Sequence, residues 1–509
     1  MALTLTRRQF LRSAGGVTFL ALTPVGRGLF AATAAAAQPA GLPLFTALPY
    51  VQPGPEGRLV PDAEIARLAW QTEPKAADFT VEFGRNTTYG RTATVARTQR
   101  DYSAGQGTNG RFNYVCAFDG LALGTEYHYR VRGNGAVIAE GYFTTRQPRG
   151  RRIRFASFGD NAYGSPSEHA IAYHAYQAHP DFIMNTGDNV YENGLDDEYR
   201  RYFFPVYNAD TAGLATGAPL LRSVPFLTVM ANHDINGTEP ATGFHCANFD
   251  ASPDALAYYT NFHLPLNGPA APASPTYVHG APARLADFKA CAGDRFPRMA
   301  NYAFDCGDAH FLCLDSNLYL DPTNTALQSW IAADLAATDA RWKIVVYHHP
   351  AFNVGANHYT HQQMRALTPL LEKSGVDLVL SGHEHTYQRT RPLRFAPRDL
   401  TRAAHLHEAD RRIPGDFTVD RRFDGVAATR ADGIIHITTG AGGHTLYDPG
   451  YTDAPEKWLH ADDKNVAYAV KVVTDLHSFS VIELDANELA LRQVDETGAE
   501  RDRFRMTKA

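Results

Sequence analysis

The chain has 509 residues, too many for a single hydrophobic core, so two or more domains are expected. Apolar residues make up 44% and charged residues 20%, the balance of an ordinary globular protein. The net charge is -6 and no basic run is long enough for a nucleic-acid stripe, so any attraction for a phosphate ester must be local, which favours a metal site over a lysine-rich one.

The N-terminus carries Thr6-Arg7-Arg8-Gln9-Phe10-Leu11, then a weakly apolar stretch from Ser13 to Gly26, then Ala35-Ala36-Ala37. This pattern reads as a twin-arginine signal over residues 1–37, with periplasmic or secreted export of a folded protein. An ordinary Sec signal is the alternative. No later run is long enough to span a bilayer.

From residue 41 to 146 the chain reads as short strands between turns. Ile65–Trp70, Phe79–Gly84, Tyr127–Val131 and Gly141–Thr144 alternate with period 2, which argues an all-β sandwich. The Leu121–Tyr129 stretch resembles a fibronectin-type-III-like strand corner. Pro148–Arg152 reads as a linker. Beyond it, over residues 152–509, apolar β-rich runs alternate with helical stretches, an α/β core of β-sheets flanked by helices. Its expected strands are Ile153–Phe158, Phe182–Thr186, Phe226–Met230, His310–Leu314, Ile344–Tyr347, Leu378–Leu380 and Ile434–Thr438. Ser165-Pro166-Ser167-Glu168 and Thr325-Ala326-Leu327-Gln328 read as capping boxes. Residues 236–298 and 392–430 read as loop-rich insertions.

Of five cysteines, none lies in a C-x-x-C pair, so a zinc–thiolate site is not expected. Cys246 and Cys291 are the candidate disulfide, since export permits one. Cys116, Cys306 and Cys313 read as small buried hydrophobes.

Five of the strands end in ligand-type residues. Gly159-Asp160-Asn161, Gly187-Asp188-Asn189-Val190-Tyr191, Ala231-Asn232-His233-Asp234, His348-His349-Pro350 and Gly382-His383-Glu384-His385 each follow an apolar run. Ligands of α/β proteins bind beyond the carboxyl ends of strands, so these groups are expected at one edge of the sheet. Carboxylate, amide oxygen and imidazole suit hard or borderline transition metals. Each motif alone is weak; all five in order are not.

The order resembles the calcineurin-like metallophosphoesterases, and Gly187–Tyr191 resembles the purple acid phosphatases among them. Val345-Val346-Tyr347-His348 and Gly382–His385 match the family pattern in full, whereas Ala162 and Ala231 replace glycines of the first and third motifs. Asn301–Phe304, Ala309–Phe311 and Thr438–Gly443 add to the likeness, and the β-sandwich resembles the N-terminal domain of larger members. The resemblance implies two metal ions: ferric iron held by Asp160, Asp188, Tyr191 and His385, and iron, zinc or manganese held by Asp188, Asn232, His348 and His383, with Asp188 bridging. A Tyr191 that only packs is the alternative. The implied reaction is hydrolysis of a small phosphate monoester by metal-bound hydroxide. His233 and His358 are the implied catalytic histidines, with His361 able to stand in for His358. Competing readings are an exported PhoD-like phosphodiesterase and a non-catalytic binding protein. His169, His174 and His179 are expected on one helix and solvated, His349 behind the ligands or turned away, and His444 at the pocket. The oligomeric state is left open.

Overall fold

The computed structural model describes residues 41–100, 110–235, 247–269, 278–406, 410–458, 463 and 466–508. The expected export signal and Cys246 lie outside them. Cys291 is a buried thiol whose Sγ accepts from Asn113 Nδ2 at 3.4 Å.

The first eight strands are β1 (Phe45–Pro53), β2 (Glu64–Thr72), β3 (Phe79–Gly84), β4 (Arg91–Ala93), β5 (Val95–Arg100), β6 (Arg111–Leu121), β7 (Glu126–Gly133) and β8 (Ala136–Thr144). They form two antiparallel sheets, β1-β2-β6-β5 and β4-β3-β7-β8. Alternation places Ala66, Leu68 and Trp70 of β2, and Tyr127, Tyr129 and Val131 of β7, on buried faces. Trp70 stacks on Tyr114 at 5.3 Å between ring centroids and meets the edge of Phe79 at 5.6 Å. Side chains of this size contribute about 2–3 kcal/mol each when buried. Tyr127 Oη accepts the Ala122 N–H at 3.1 Å, the tyrosine-corner bond that the Leu121–Tyr129 stretch suggested.

The linker is pinned by charge. Arg146 forks onto Glu64 with both nitrogens at 2.7 Å and also donates to the Asp305 carbonyl at 3.2 Å. Arg149 reaches Asp305 Oδ2 at 3.0 Å. Asp305 in turn takes one ring nitrogen of buried His310 at 2.7 Å, and Asp334 takes the other at 2.7 Å. A charged cluster thereby joins the sandwich to the core, beside apolar contacts such as Tyr50 on Phe204 at 5.1 Å between ring centroids.

In the core, β9 (Ile153–Phe158), β10 (Phe182–Asn185) and β11 (Phe226–Thr228) run parallel; β12 (Ala247–Asn248) and β13 (Val278–His279) form a separate short pair. Next come β14 (Tyr302–Cys306), β15 (Ala309–Leu314), β16 (Trp342–Tyr347), β17 (Leu378–Ser381), β18 (Tyr387–Thr390), the hairpin β19 (Leu393–Pro397) with β20 (Gly415–Val419), β21 (Ile435–Thr439), β22 (Ala469–Val473), β23 (Ser478–Leu484), β24 (Glu488–Asp495) and β25 (Glu500–Thr507). They build two mixed sheets, β11-β10-β9-β23-β24-β25 and β14-β15-β16-β17-β21-β18-β22. Phe155 and Phe182 of the first meet Phe304 and Phe311 of the second at 5.2–5.5 Å, so the core lies between the sheets.

This corrects the expectation of one sheet edge: β9, β10 and β11 bring their motifs from one sheet, β16 and β17 from the other. The strands expected at residues 182 and 226 stop earlier, at Asn185 and Thr228, because the chain turns into the motif loops. The first capping box is half formed. Ser165 accepts the Glu168 N–H at 3.1 Å, but the Glu168 carboxylate turns to the N–H groups of Tyr163 and Gly164. The second is displaced by one residue: Asn324 is the cap, accepting from Ala326 and Leu327. The insertion beyond 246 holds helices Pro282–Ala292 and Arg295–Arg298, and the later one holds the β19–β20 hairpin, so neither is only loop. His169 and His174 lie on helix Pro166–Gln177, half-buried, whereas His179 follows it, exposed, at φ +50°.

Candidate metal centre

The carboxyl ends of the two sheets are stitched together by backbone. Gly159 N–H donates to Thr439 O, Asp160 N–H to Gly187 O, and His444 N–H to Asp160 O, each at 3.0 Å. Gly187 has φ +98°, and a Cβ there would lie 2.6 Å from Ala231 Cβ and 2.9 Å from His348 Nδ1. Only glycine lets the second motif pass so close to the third and fourth. Asp160, Asp188 and His383 all sit at positive φ, between +49° and +67°. Non-glycine residues adopt that region rarely and cluster at functional sites when they do.

Six of the seven expected ligands meet here, and the seventh, Asn232, adjoins His233, whose N–H reaches Asp188. Asp160 and Asp188 are buried, with Tyr191 between them. Its hydroxyl lies 3.2 Å from Asp160 Oδ1, Asp188 Oδ2 and His385 Nε2 alike. A hydroxyl has one hydrogen, so it can satisfy only one of these. Asp188 Oδ2 is also 3.1 Å from His348 Nε2, and Asp188 Oδ1 accepts the His233 N–H at 2.8 Å. Asp160 accepts the His383 N–H at 3.0 Å. The rings of His348 and His385 are aimed by their far nitrogens, which lie 2.8 Å from Thr186 O and 2.7 Å from Thr445 O. Asp188, His348 and His383 present ligand atoms within 4.8 Å of one another.

The electrostatics ask for positive charge. Burial opposes the charge of His348, but Asp188 and Asp160 outweigh it and push its pKa up to about 9. Burial holds the Tyr191 hydroxyl well above its usual range, and the two carboxylates add to this. Asn232 Oδ1 is buried without a hydrogen-bond partner, and His348 Nε2 lacks an aligned one despite its closeness to Asp188. A buried imidazole nitrogen facing two carboxylates without an aligned hydrogen bond is what a coordinated cation satisfies. The donor set of carboxylates, amide oxygen, phenol and imidazoles fits a borderline transition metal.

His233 stands at the rim, Nδ1 on Glu192 O at 2.8 Å and its ring 4.6 Å from Tyr191. His358 packs its ring 4.0 Å from His383, but its Nδ1 turns to Glu384 Oε2 at 3.4 Å. His361 comes closer, with Nδ1 2.8 Å from His383 Nε2. His349 is not turned away: its ring lies 4.2 Å from His383. His444 lines the site, 4.0 Å from the Tyr191 ring.

Two supporting residues had no role assigned from sequence. Asp234 accepts from Asn189 and Ala231 and holds the second motif against the third; burial, reinforced by the Asp188 charge, pushes its pKa up to about 7. Tyr447 lies flat over His385 at 4.0 Å and 10°. The position of Asp234 two residues after Asn232 was a usable signal; nothing local marked Tyr447.

A family model described as calcineurin-like phosphoesterase matches residues 165–387. An acid phosphatase of Aspergillus ficuum is 24% identical over 431 residues, 65% of this chain and 67% of that protein. The chain spans about two thirds of the length of the curated relatives it matches. Among solved structures, a purple acid phosphatase from yellow lupin (Lupinus luteus) seeds superposes with a TM-score of 0.62 at 17% identity, over 90% of this chain and 74% of that one. PhoD superposes with a TM-score of 0.52 at 14% identity, over 93% and 94%. A calcineurin-like phosphoesterase domain thus lies at residues 165–387, and the chain, with its all-β region in front of the core, is similar to the purple acid phosphatases.

Proposed function

We propose that the protein is an exported phosphate monoester hydrolase working at a binuclear metal centre. Asp160, Asp188, Tyr191 and His385 would hold one ion, ferric iron, and Asp188, Asn232, His348 and His383 a second, iron, zinc or manganese. The observation that carries this is the buried Tyr191–Asp188–His348 junction, richer in acceptors than in hydrogens, where His348 Nε2 has no aligned hydrogen bond. Asp188 is suited to bridge, because its Oδ2 faces Tyr191 of one set and His348 of the other.

When bound, such a pair supplies Lewis acidity and lowers the pKa of water. The chain's own residues do the rest. Thr186 and Thr445 orient the imidazoles through their carbonyls. Asp234 keeps the Asn232 loop in place. His233, anchored through Nδ1, keeps its other nitrogen available to hydrogen-bond a phosphate oxygen or to give a proton to the leaving group. His358, tied to Glu384, would reach substrate only by leaving that partner.

The second reading is a phosphodiesterase of the PhoD kind, favoured by the likeness to PhoD over nearly the whole chain. Metal analysis of the exported protein, with hydrolysis rates for one monoester and one diester, tests both. Two ions and a monoester preference are expected. A diester preference would replace the first reading by the second, and a metal-free active enzyme would end both.

A further inference from the structure

Beside the carboxylate-lined centre lies a group made only of imidazoles. His349, His361 and His383 present ligand nitrogens all within 4.8 Å of one another. His349 and His383 are buried, while His361 is partly exposed and opens the group to solvent. The His349 ring is held by Ser316, whose Oγ lies 3.0 Å from Nδ1 and accepts the N–H groups of His348 at 3.1 Å and His349 at 2.9 Å.

His383 differs from its neighbours. The second nitrogens of His348 and His385 rest on backbone carbonyls, the common arrangement behind a metal-bound histidine. His383 Nε2 instead faces His361 Nδ1 at 2.8 Å, one imidazole nitrogen against another. Such a pair is satisfied by a single shared hydrogen or by a cation. With zinc–nitrogen bonds of about 2.0–2.1 Å, two donors of a tetrahedral ion stand about 3.3 Å apart. His361 would therefore retreat by about 0.5 Å, a small adjustment for a partly exposed side chain.

We propose that His349, His361 and His383 form a separate site for a divalent cation of the imidazole-preferring class, zinc or copper. The absence of a carboxylate from the triad distinguishes its preference from that of the neighbouring centre, where Asp160 and Asp188 suit harder ions. Three protein donors leave a fourth position for water on the His361 side. The site shares His383 with the binuclear centre proposed above, so occupancy of the two is coupled.

The test is zinc stoichiometry of the full exported protein by equilibrium dialysis and elemental analysis. The variants are wild type, His361→Ala, His349→Ala and Asp188→Asn, each checked for folding by thermal melting. Wild type is expected to take up one equivalent beyond the two of the binuclear centre. His361→Ala should lose that equivalent and keep the other two. Because His361 is partly exposed, this variant keeps the test sound if His349→Ala fails to fold. The proposal is overturned if wild type stops at two equivalents, or if His361→Ala retains the third. Failure of the binuclear reading looks different: Asp188→Asn would then leave every equivalent in place.

Discussion

Replacing Asp188 by Asn keeps the shape of the side chain and removes one negative charge from the junction of the two donor sets. Asn can still accept the His233 N–H now held at 2.8 Å by Oδ1. What is lost lies at Oδ2, which faces Tyr191 at 3.2 Å and His348 at 3.1 Å, members of different sets. At an effective dielectric of about 20, unit charges 4 Å apart interact by about 4 kcal/mol. That is a floor for a divalent ion and corresponds to roughly 10³-fold in affinity. Both ions should therefore weaken by at least that factor, and turnover should fall with them. Asp160→Asn is the contrast, since Asp160 Oδ1 lies 3.2 Å from Tyr191 and 3.4 Å from His385, of one set, but 3.9 Å from His348 of the other. The assay is metal content after dialysis against graded chelator, with kcat measured on the same samples and thermal melting to confirm folding. An Asp188→Asn protein that keeps two ions at wild-type affinity refutes the bridging role. Loss of one ion only, in both variants, would show that the carboxylates serve separate ions.

Tyr191→Phe should abolish a visible absorption band while the ion held by Asn232, His348 and His383 remains; a colourless wild-type protein that is fully active would rule out a tyrosine-bound ferric ion. His233→Ala should cost about 10²–10⁴-fold in kcat without loss of metal, less for substrates with good leaving groups; equal slowing of alkyl and aryl phosphates would remove the proton-donor role. His358→Ala should cost less than this, because its Nδ1 faces Glu384 Oε2 at 3.4 Å; a loss as large as that of His233→Ala would show that His358 swings onto the substrate. His310→Gln should destabilise the protein by about 3 kcal/mol, by breaking a buried pair. Burial opposes the charge of His310, but hydrogen bonds to Asp305 and Asp334 outweigh it and raise its pKa. A raised folded-state pKa gives stability that is full below the unfolded value of about 6.5 and is lost as pH rises through the folded one. The gap in unfolding midpoint between wild type and His310→Gln should accordingly be widest in mildly acidic buffer and narrow toward alkaline pH; a gap that widens with pH refutes the charged clamp.

The gathering of the candidate ligands was legible because they follow short apolar runs in a fixed order, and because Gly187 marks where loops must pass closely. The sandwich was legible through Trp70 and the period-2 faces of β2 and β7. The two-sheet core was not. Strands β23, β24 and β25 are partly polar, as at Glu483, Arg492 and Arg503, and β23 joins them to β9 across more than three hundred residues, a contact that local periodicity does not carry. The helix cap at Asn324 was misplaced by one residue because Asn and Thr are both good caps and only backbone angles separate them.

The histidines show where the pattern argument ends. Along an extended strand adjacent side chains point apart, which correctly separates Asn232 from His233. For His349 two places stayed open, behind the ligands or turned away, because the chain leaves β16 at Tyr347 and strand alternation lapses there. Past that point Ser316, arriving from the loop after β15, takes both N–H groups and the His349 ring, and sets it 4.2 Å from His383. Side-chain direction beyond a strand end is thus decided by a residue more than thirty positions away. That is why the ligands at strand ends could be read from sequence, while the imidazoles gathered around His383 required the fold.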